Sequence, residues 1–134
     1  MKQFLKSFLF AIRGVKFSIV DQRNLKVQTF IAFITIAAGF YFRITLIEWC
    51  IVLITIGLVI GLEIINTAIE NLVDLVTTEW KPLAGRIKDM AAGAVLTASV
   101  IALVVGVIVF RKYCVATTIL TREITDSAHA FVLP

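Results

Sequence analysis

Charge is scarce in this chain. Only 16% of its 134 residues are Asp, Glu, Lys or Arg, against roughly 25% in soluble domains. Cysteine, proline and histidine are scarcer still, with two, two and one. Cys50 and Cys114 are too few for a disulfide framework and read as free thiols. A lone histidine, His129, does not make a metal site, which needs several ligands. The common nucleotide signatures are missing: no G-x-x-x-x-G-K-[ST], no G-x-G-x-x-G and no kinase-type catalytic loop. Lys6 and Arg13 interrupt the apolar stretch after Met1, so no signal-peptide core forms.

Apolar residues fill the chain instead, at 60% against roughly 45–50% in ordinary domains. Mean hydropathy is +0.98. A soluble monomer of this size has too much surface for its volume to bury that share. This excludes a soluble enzyme, a disordered tail and a secreted disulfide scaffold. Lipid must be the solvent for much of the chain. The net charge of +4 fits contact with anionic lipid. The basic residues border the apolar runs and form no patch for nucleic acid.

In residues 1–26, Phe4, Leu5, Phe8, Ile12 and Val15 recur at helical spacing beside Lys2, Lys6, Arg13 and Lys16. That pattern predicts a basic amphipathic helix lying in the membrane interface. Val27–Phe42 carries no charge and predicts a first span, with Gln28 and Thr29 at its interface and Tyr41 and Phe42 as interfacial aromatics. Thr45 and Glu48 suggest a short turn. No proline interrupts Glu48–Thr78, so one helix of roughly 30 residues, about 45 Å, is allowed. It exceeds the roughly 30 Å hydrocarbon core, and its C-terminal half must leave the lipid. Gly57 and Gly61 form a small-xxx-small pattern that lets a neighbouring helix come close. Glu79–Asp89 is the one long hydrophilic loop, broken by Pro82 and Gly85. Met90–Phe110 is the clearest span. The expected architecture is all-α and integral to the membrane: three transmembrane helices plus an N-terminal amphipathic surface helix, as one domain over 1–113. Residues 114–134 are expected as a weakly ordered tail.

Lys2, Lys6, Arg13, Lys16, Arg23 and Lys26 precede the first span, and Lys81, Arg86 and Lys88 lie between the second and third. These nine face Arg43, Arg111, Lys112 and Arg122 on the other side. The positive-inside rule places the N-terminus and the 79–89 loop in the cytoplasm of a multi-pass protein of the inner (plasma) membrane.

Glu63, Asn66, Thr67, Glu70 and Asp74 are spaced by three, four, seven and eleven residues, so they share one helix face. Ionisable groups where a span meets the cytoplasm usually face a cavity or a partner. Clustered carboxylates repel unless a cation sits among them. Oxygen ligands with an open coordination sphere suit Mg²⁺, which often takes substrate phosphates as well. A carboxylate left off the metal can act as a general base. The competing reading is a polar face that pairs with Lys88 or Arg86 across helices. In the loop, Gly85 permits close backbone approach, Arg86 and Lys88 can hold phosphate oxygens, and Asp89 can orient either or hold a second metal.

Two segments, E-I-I-N-T-A-I-E-x-x-x-D at 63–74 and G-R-x-K-D-M-A-A-G-A-V at 85–95, resemble the prokaryotic diacylglycerol kinase/undecaprenol kinase family. The resemblance spans roughly residues 1–113. It implies a small homotrimeric membrane kinase that moves the γ-phosphate of MgATP to a lipid alcohol of the diacylglycerol or undecaprenol type. By the same resemblance Glu63 is the general base, Glu70 a Mg²⁺ ligand, and Asn66 the active-site asparagine between them. Lys88 and Asp89 handle the nucleotide phosphates with Gly85 and Arg86 beside them, and Glu79 and Asp74 support them. One position departs. The family carries Ser/Thr-Glu-x-Asn before the first span, where the glutamate is the second metal ligand; here the segment is Asp21-Gln22-Arg23-Asn24, and Gln22 takes that place.

Two other functions compete with an ATP- and Mg²⁺-dependent lipid kinase. One is a catalytically impaired relative that binds lipid or nucleotide, for which Gln22 argues. The other is a small proton-coupled transporter in which Glu63 titrates. Carboxylates clustered at one end of the bilayer speak against transport, which favours sites near the midplane.

Overall fold

The computed structural model describes residues 2–132; of these, the side chains of Lys2, Asp21, Leu120 and residues 124–132 lie outside the description, and His129 with them. The described residues form four helices and no strand: α1 (Lys2–Asp21), α2 (Arg23–Phe42), α3 (Leu46–Val76) and α4 (Pro82–Val132). α2, α3 and α4 are each long and apolar enough to cross a membrane. α1 touches α2 and α3 near its C-terminal end, where Ser18 is buried, and leaves Phe4, Phe8 and Ile12 exposed, as an interfacial helix requires.

The boundaries follow local chemistry. α1 and α2 part at Gln22, whose backbone is extended (φ −98°, ψ 121°). α2 therefore begins four residues before the uncharged run. Arg43 ends α2 in the left-handed region (φ 52°, ψ 50°), and the Ile44 N–H returns to the Gly39 carbonyl at 3.2 Å. Thr45 then opens α3 with a reciprocal capping box to Glu48. α3 runs 31 residues, as the proline-free stretch predicts.

Two expectations need revision. The hydrophilic 79–89 segment is not all loop. Pro82 is the first residue of α4, where its missing N–H costs nothing and its fixed φ favours the helix. Gly85, Arg86, Lys88 and Asp89 consequently sit on the first turns of α4. At the other end α4 continues beyond Lys112 to Val132, so the segment expected as a weakly ordered tail has helical backbone that far. Neither glycine nor proline lies between Gly106 and Pro134 to stop it.

The main packing is α3 against α4, with α2 laid across α3. The buried apolar cluster lies at the end remote from Glu63. Ile44, Val52 and Val109 form it, with Phe42, Trp49, Phe110 and Tyr113 packed around them. Phe42 is thus a packing residue, while Tyr41 is the exposed aromatic. An ion pair closes this end: Lys112 Nζ lies 2.6 Å from Glu48 Oε1, and the Tyr113 hydroxyl donates to Glu48 Oε2 at 2.7 Å. Close helix approach occurs at Gly39, where an added Cβ would lie 2.8 Å from Trp49 Cη2. Gly57 and Gly61, expected to serve that purpose, have open space around them within this chain. Cys50 and Cys114 are free and exposed.

Candidate active site

The polar stripe of α3 passes from buried to exposed along its length. Glu63, Asn66 and Thr67 are buried, Glu70 is half-buried and Asp74 exposed. At 1.5 Å per residue, Glu63 and Asp74 are separated by about 16 Å along the axis. A carboxylate in the apolar part of a span needs a partner. Glu63, only 3% exposed, finds one on α2: the Gln28 amide Nε2 donates to its Oε2 at 3.2 Å.

One turn further on, Asn66 Nδ2 donates to Glu70 Oε1 at 2.9 Å. Asn66 Oδ1 is buried without a partner, as is Gln28 Oε1. A buried, unpaired acceptor costs about 1–3 kcal/mol. The orphaned Asn66 oxygen beside the Glu70 carboxylate is the feature that fits a hard cation or a donor arriving with substrate. The oxygen donors Glu70, Asn66 and Gln22 suit Mg²⁺ in kind. Among the described residues no three His, Cys, Asp or Glu side chains cluster to hold a metal. A cation there would depend on ligands that come with the substrate.

At the exposed end of the stripe α4 joins the site. Lys88 Nζ lies 2.6 Å from Asp74 Oδ1. The cross-helix pairing that competed with a phosphate role is therefore present, for this one pair. It does not consume the lysine, since an ammonium carries three donors. Gly85, Arg86 and Asp89 are exposed on the same turns of α4. Glu79, in the α3–α4 connection, is exposed and lies 3.9 Å from Lys81. Gln22, half-buried at the α1–α2 break, caps no backbone N–H with its side chain. The adjacent Asp21 side chain is outside the described residues.

Gln28 is the partner of Glu63 that the hydropathy reading passes over, placing it only at an interface. Its signal is visible: an amide at the head of a largely apolar stretch, where a buried polar group calls for a hydrogen-bond partner. Gln28 also lines an apolar groove of about 690 Å³ between α2, α3 and α4, which runs on to Arg111 and Cys114.

Comparison with known proteins matches residues 9–110 to the family described as prokaryotic diacylglycerol kinase. The chain is 39% identical over 110 residues to an undecaprenol kinase of Bacillus subtilis, covering 82% of this chain and 89% of that protein. It is 40% identical over 103 residues to a diacylglycerol kinase of Synechocystis, covering 76% of this chain and 59% of that longer protein. A diacylglycerol kinase of Haemophilus influenzae is 31% identical over 107 residues, covering 79% of this chain and 91% of the relative.

Proposed function

The chain belongs to the prokaryotic diacylglycerol kinase family and is a membrane-bound lipid kinase, and from that premise we propose that it transfers the γ-phosphoryl group of ATP to a lipid alcohol at the cytoplasmic interface of the inner membrane. The lipid is of the diacylglycerol or undecaprenol type, the two substrates named among its relatives. The observation that carries the proposal is Glu63: a buried carboxylate in a membrane helix, held by a neutral donor, Gln28, which itself lines the apolar groove.

Phosphoryl transfer asks a protein mainly to position groups and to balance charge. Glu63 accepts the proton of the lipid hydroxyl as its oxygen bonds to the γ-phosphorus, and ADP departs with the former bridging oxygen. Lys88, steadied by Asp74, donates to phosphate oxygens, with Arg86, Asp89, Gly85 and Glu79 at the same end. Asn66 holds Glu70 in place. Glu70, Gln22 and Asn66 would hold Mg²⁺, which when bound offsets negative charge on the nucleotide phosphates. The basic asymmetry of the sequence supports a cytoplasmic N-terminus.

The functional unit in this reading is a homotrimer. Support comes from the open faces at Gly57 and Gly61, which one chain leaves uncovered. A fully active monomer in native mass spectrometry would overturn the trimer. The test of function is a panel of diacylglycerol, undecaprenol and other long-chain alcohols with purified protein and MgATP. Glu63→Gln should abolish lipid phosphorylation and leave nucleotide binding largely intact. Parallel loss of nucleotide binding would make Glu63 a ligand and refute its role as base.

A further inference from the structure

We propose that Gln28 is a positioning residue for the transfer, holding the Glu63 carboxylate in one orientation from its own place in the groove wall. The inference rests on the reading of Glu63 as the base.

The contact joins two helices across 35 residues of sequence, from Gln28 Nε2 on α2 to Glu63 Oε2 on α3. The amide presents its NH₂ to the carboxylate oxygen, which accepts. That leaves Gln28 Oε1 buried and unpaired. As a device for stability the residue is therefore poor. An apolar side chain of the same length would pack against the groove without an orphaned acceptor. The amide is explained by what it does to Glu63. A lysine here would form an ion pair and quench the base, and a carboxylate would repel it. A neutral donor restricts the rotamers of Glu63 while leaving its second oxygen to meet the substrate hydroxyl. Because the bond crosses from α2 to α3, the aim of Glu63 depends on the spacing of those helices, and Gln28 is the residue that touches both the groove and the carboxylate.

A purely structural bridge predicts the opposite balance of effects. It predicts that Gln28→Met loosens the fold and that activity falls with it. The positioning role predicts a split, measured on the full chain in lipid–detergent micelles. Gln28→Met should lower kcat about tenfold, a fraction of what a general base supplies. KM for ATP and for lipid should stay within about twofold. The thermal midpoint should be unchanged or higher. Gln28→His, which keeps an N–H at similar reach, should recover most of the lost kcat. A Gln28→Met enzyme with wild-type kcat, or one whose loss tracks a lowered thermal midpoint, overturns the proposal. A second readout needs no turnover: isotope-edited infrared spectra of ¹³C-glutamate protein, with the Glu63 band assigned by Glu63→Gln. The carboxylate band should shift in Gln28→Met, and an unmoved band overturns the proposal. If the wild type phosphorylates no lipid, the kinase reading fails by itself, and the infrared arm still decides whether Gln28 holds Glu63.

Discussion

Lys88 and Asp74 meet at 2.6 Å on the surface of the site, with side chains 36% and 63% exposed. Exposure fixes the magnitudes. A solvent-accessible ion pair contributes about 0.2–1 kcal/mol to stability, so Asp74→Asn and Lys88→Met should each change unfolding by less than about 1 kcal/mol. A charge-assisted hydrogen bond from Lys88 to phosphate is stronger, about 1.5–3 kcal/mol, or roughly 10- to 150-fold in kcat/KM. On the proposal that Asp74 acts by aiming Lys88, Asp74→Asn should cost a smaller factor, about three- to tenfold. The decisive measurement is the double variant. Once Lys88 is gone, Asp74 has nothing to aim, and Lys88→Met/Asp74→Asn should match Lys88→Met alone. The assay is lipid phosphorylation at varied ATP, with thermal unfolding measured in parallel. If the two losses multiply, Asp74 touches the nucleotide or metal in its own right and the pairing argument fails. If Lys88→Met leaves kcat/KM unchanged, the lysine is merely a surface partner of Asp74.

Three further outcomes follow from other positions. Gln22 replaces a carboxylate with a neutral amide in the proposed metal set, so Gln22→Glu should lower the Mg²⁺ concentration for half-maximal rate; an unmoved curve removes Gln22 from that set. A wild type inactive at all Mg²⁺ concentrations and restored by Gln22→Glu would favour the impaired-relative reading. Gly39→Ala places a Cβ 2.8 Å from Trp49 Cη2 and should destabilise the protein by about 1–3 kcal/mol, read as a lowered thermal midpoint, with Trp49→Leu relieving the clash. Reporter fusions after Leu83 should read cytoplasmic and fusions after Lys112 external; the reverse would move the site to the other face.

The spans and the polar stripe were legible because each rests on a repeating pattern. A 31-residue α3 follows from a proline-free apolar run, and the shared face of Glu63, Asn66, Thr67 and Glu70 follows from helical period alone. The turn between α2 and α3 was only half legible. Thr45 and Glu48 announce the cap, but Arg43 takes the left-handed conformation that glycine usually marks. Pro82 misled in the other direction, since proline breaks a helix from within and starts one at its first position. Tertiary partners were beyond pattern. Nothing local pairs Gln28 with Glu63 or brings Trp49 over Gly39, because those contacts depend on how α2 crosses α3.

The apolar cluster of Ile44, Val52 and Val109 and the Glu48–Lys112 pair lie at the end of the bundle away from Glu63. Cooperative stability is therefore spread unevenly along the helices. Local opening is cheapest where few buried apolar contacts must be broken, and that is the far end of the stripe, where Leu72, Leu75, Leu83 and Met90 are exposed. Native-state hydrogen exchange should find slower backbone amides in 49–56 and 105–113 than in 70–76 and 83–90. On this expectation the anchored end serves as the fixed base of the bundle, and thermal fraying concentrates at the end where the proposed substrates would enter and leave.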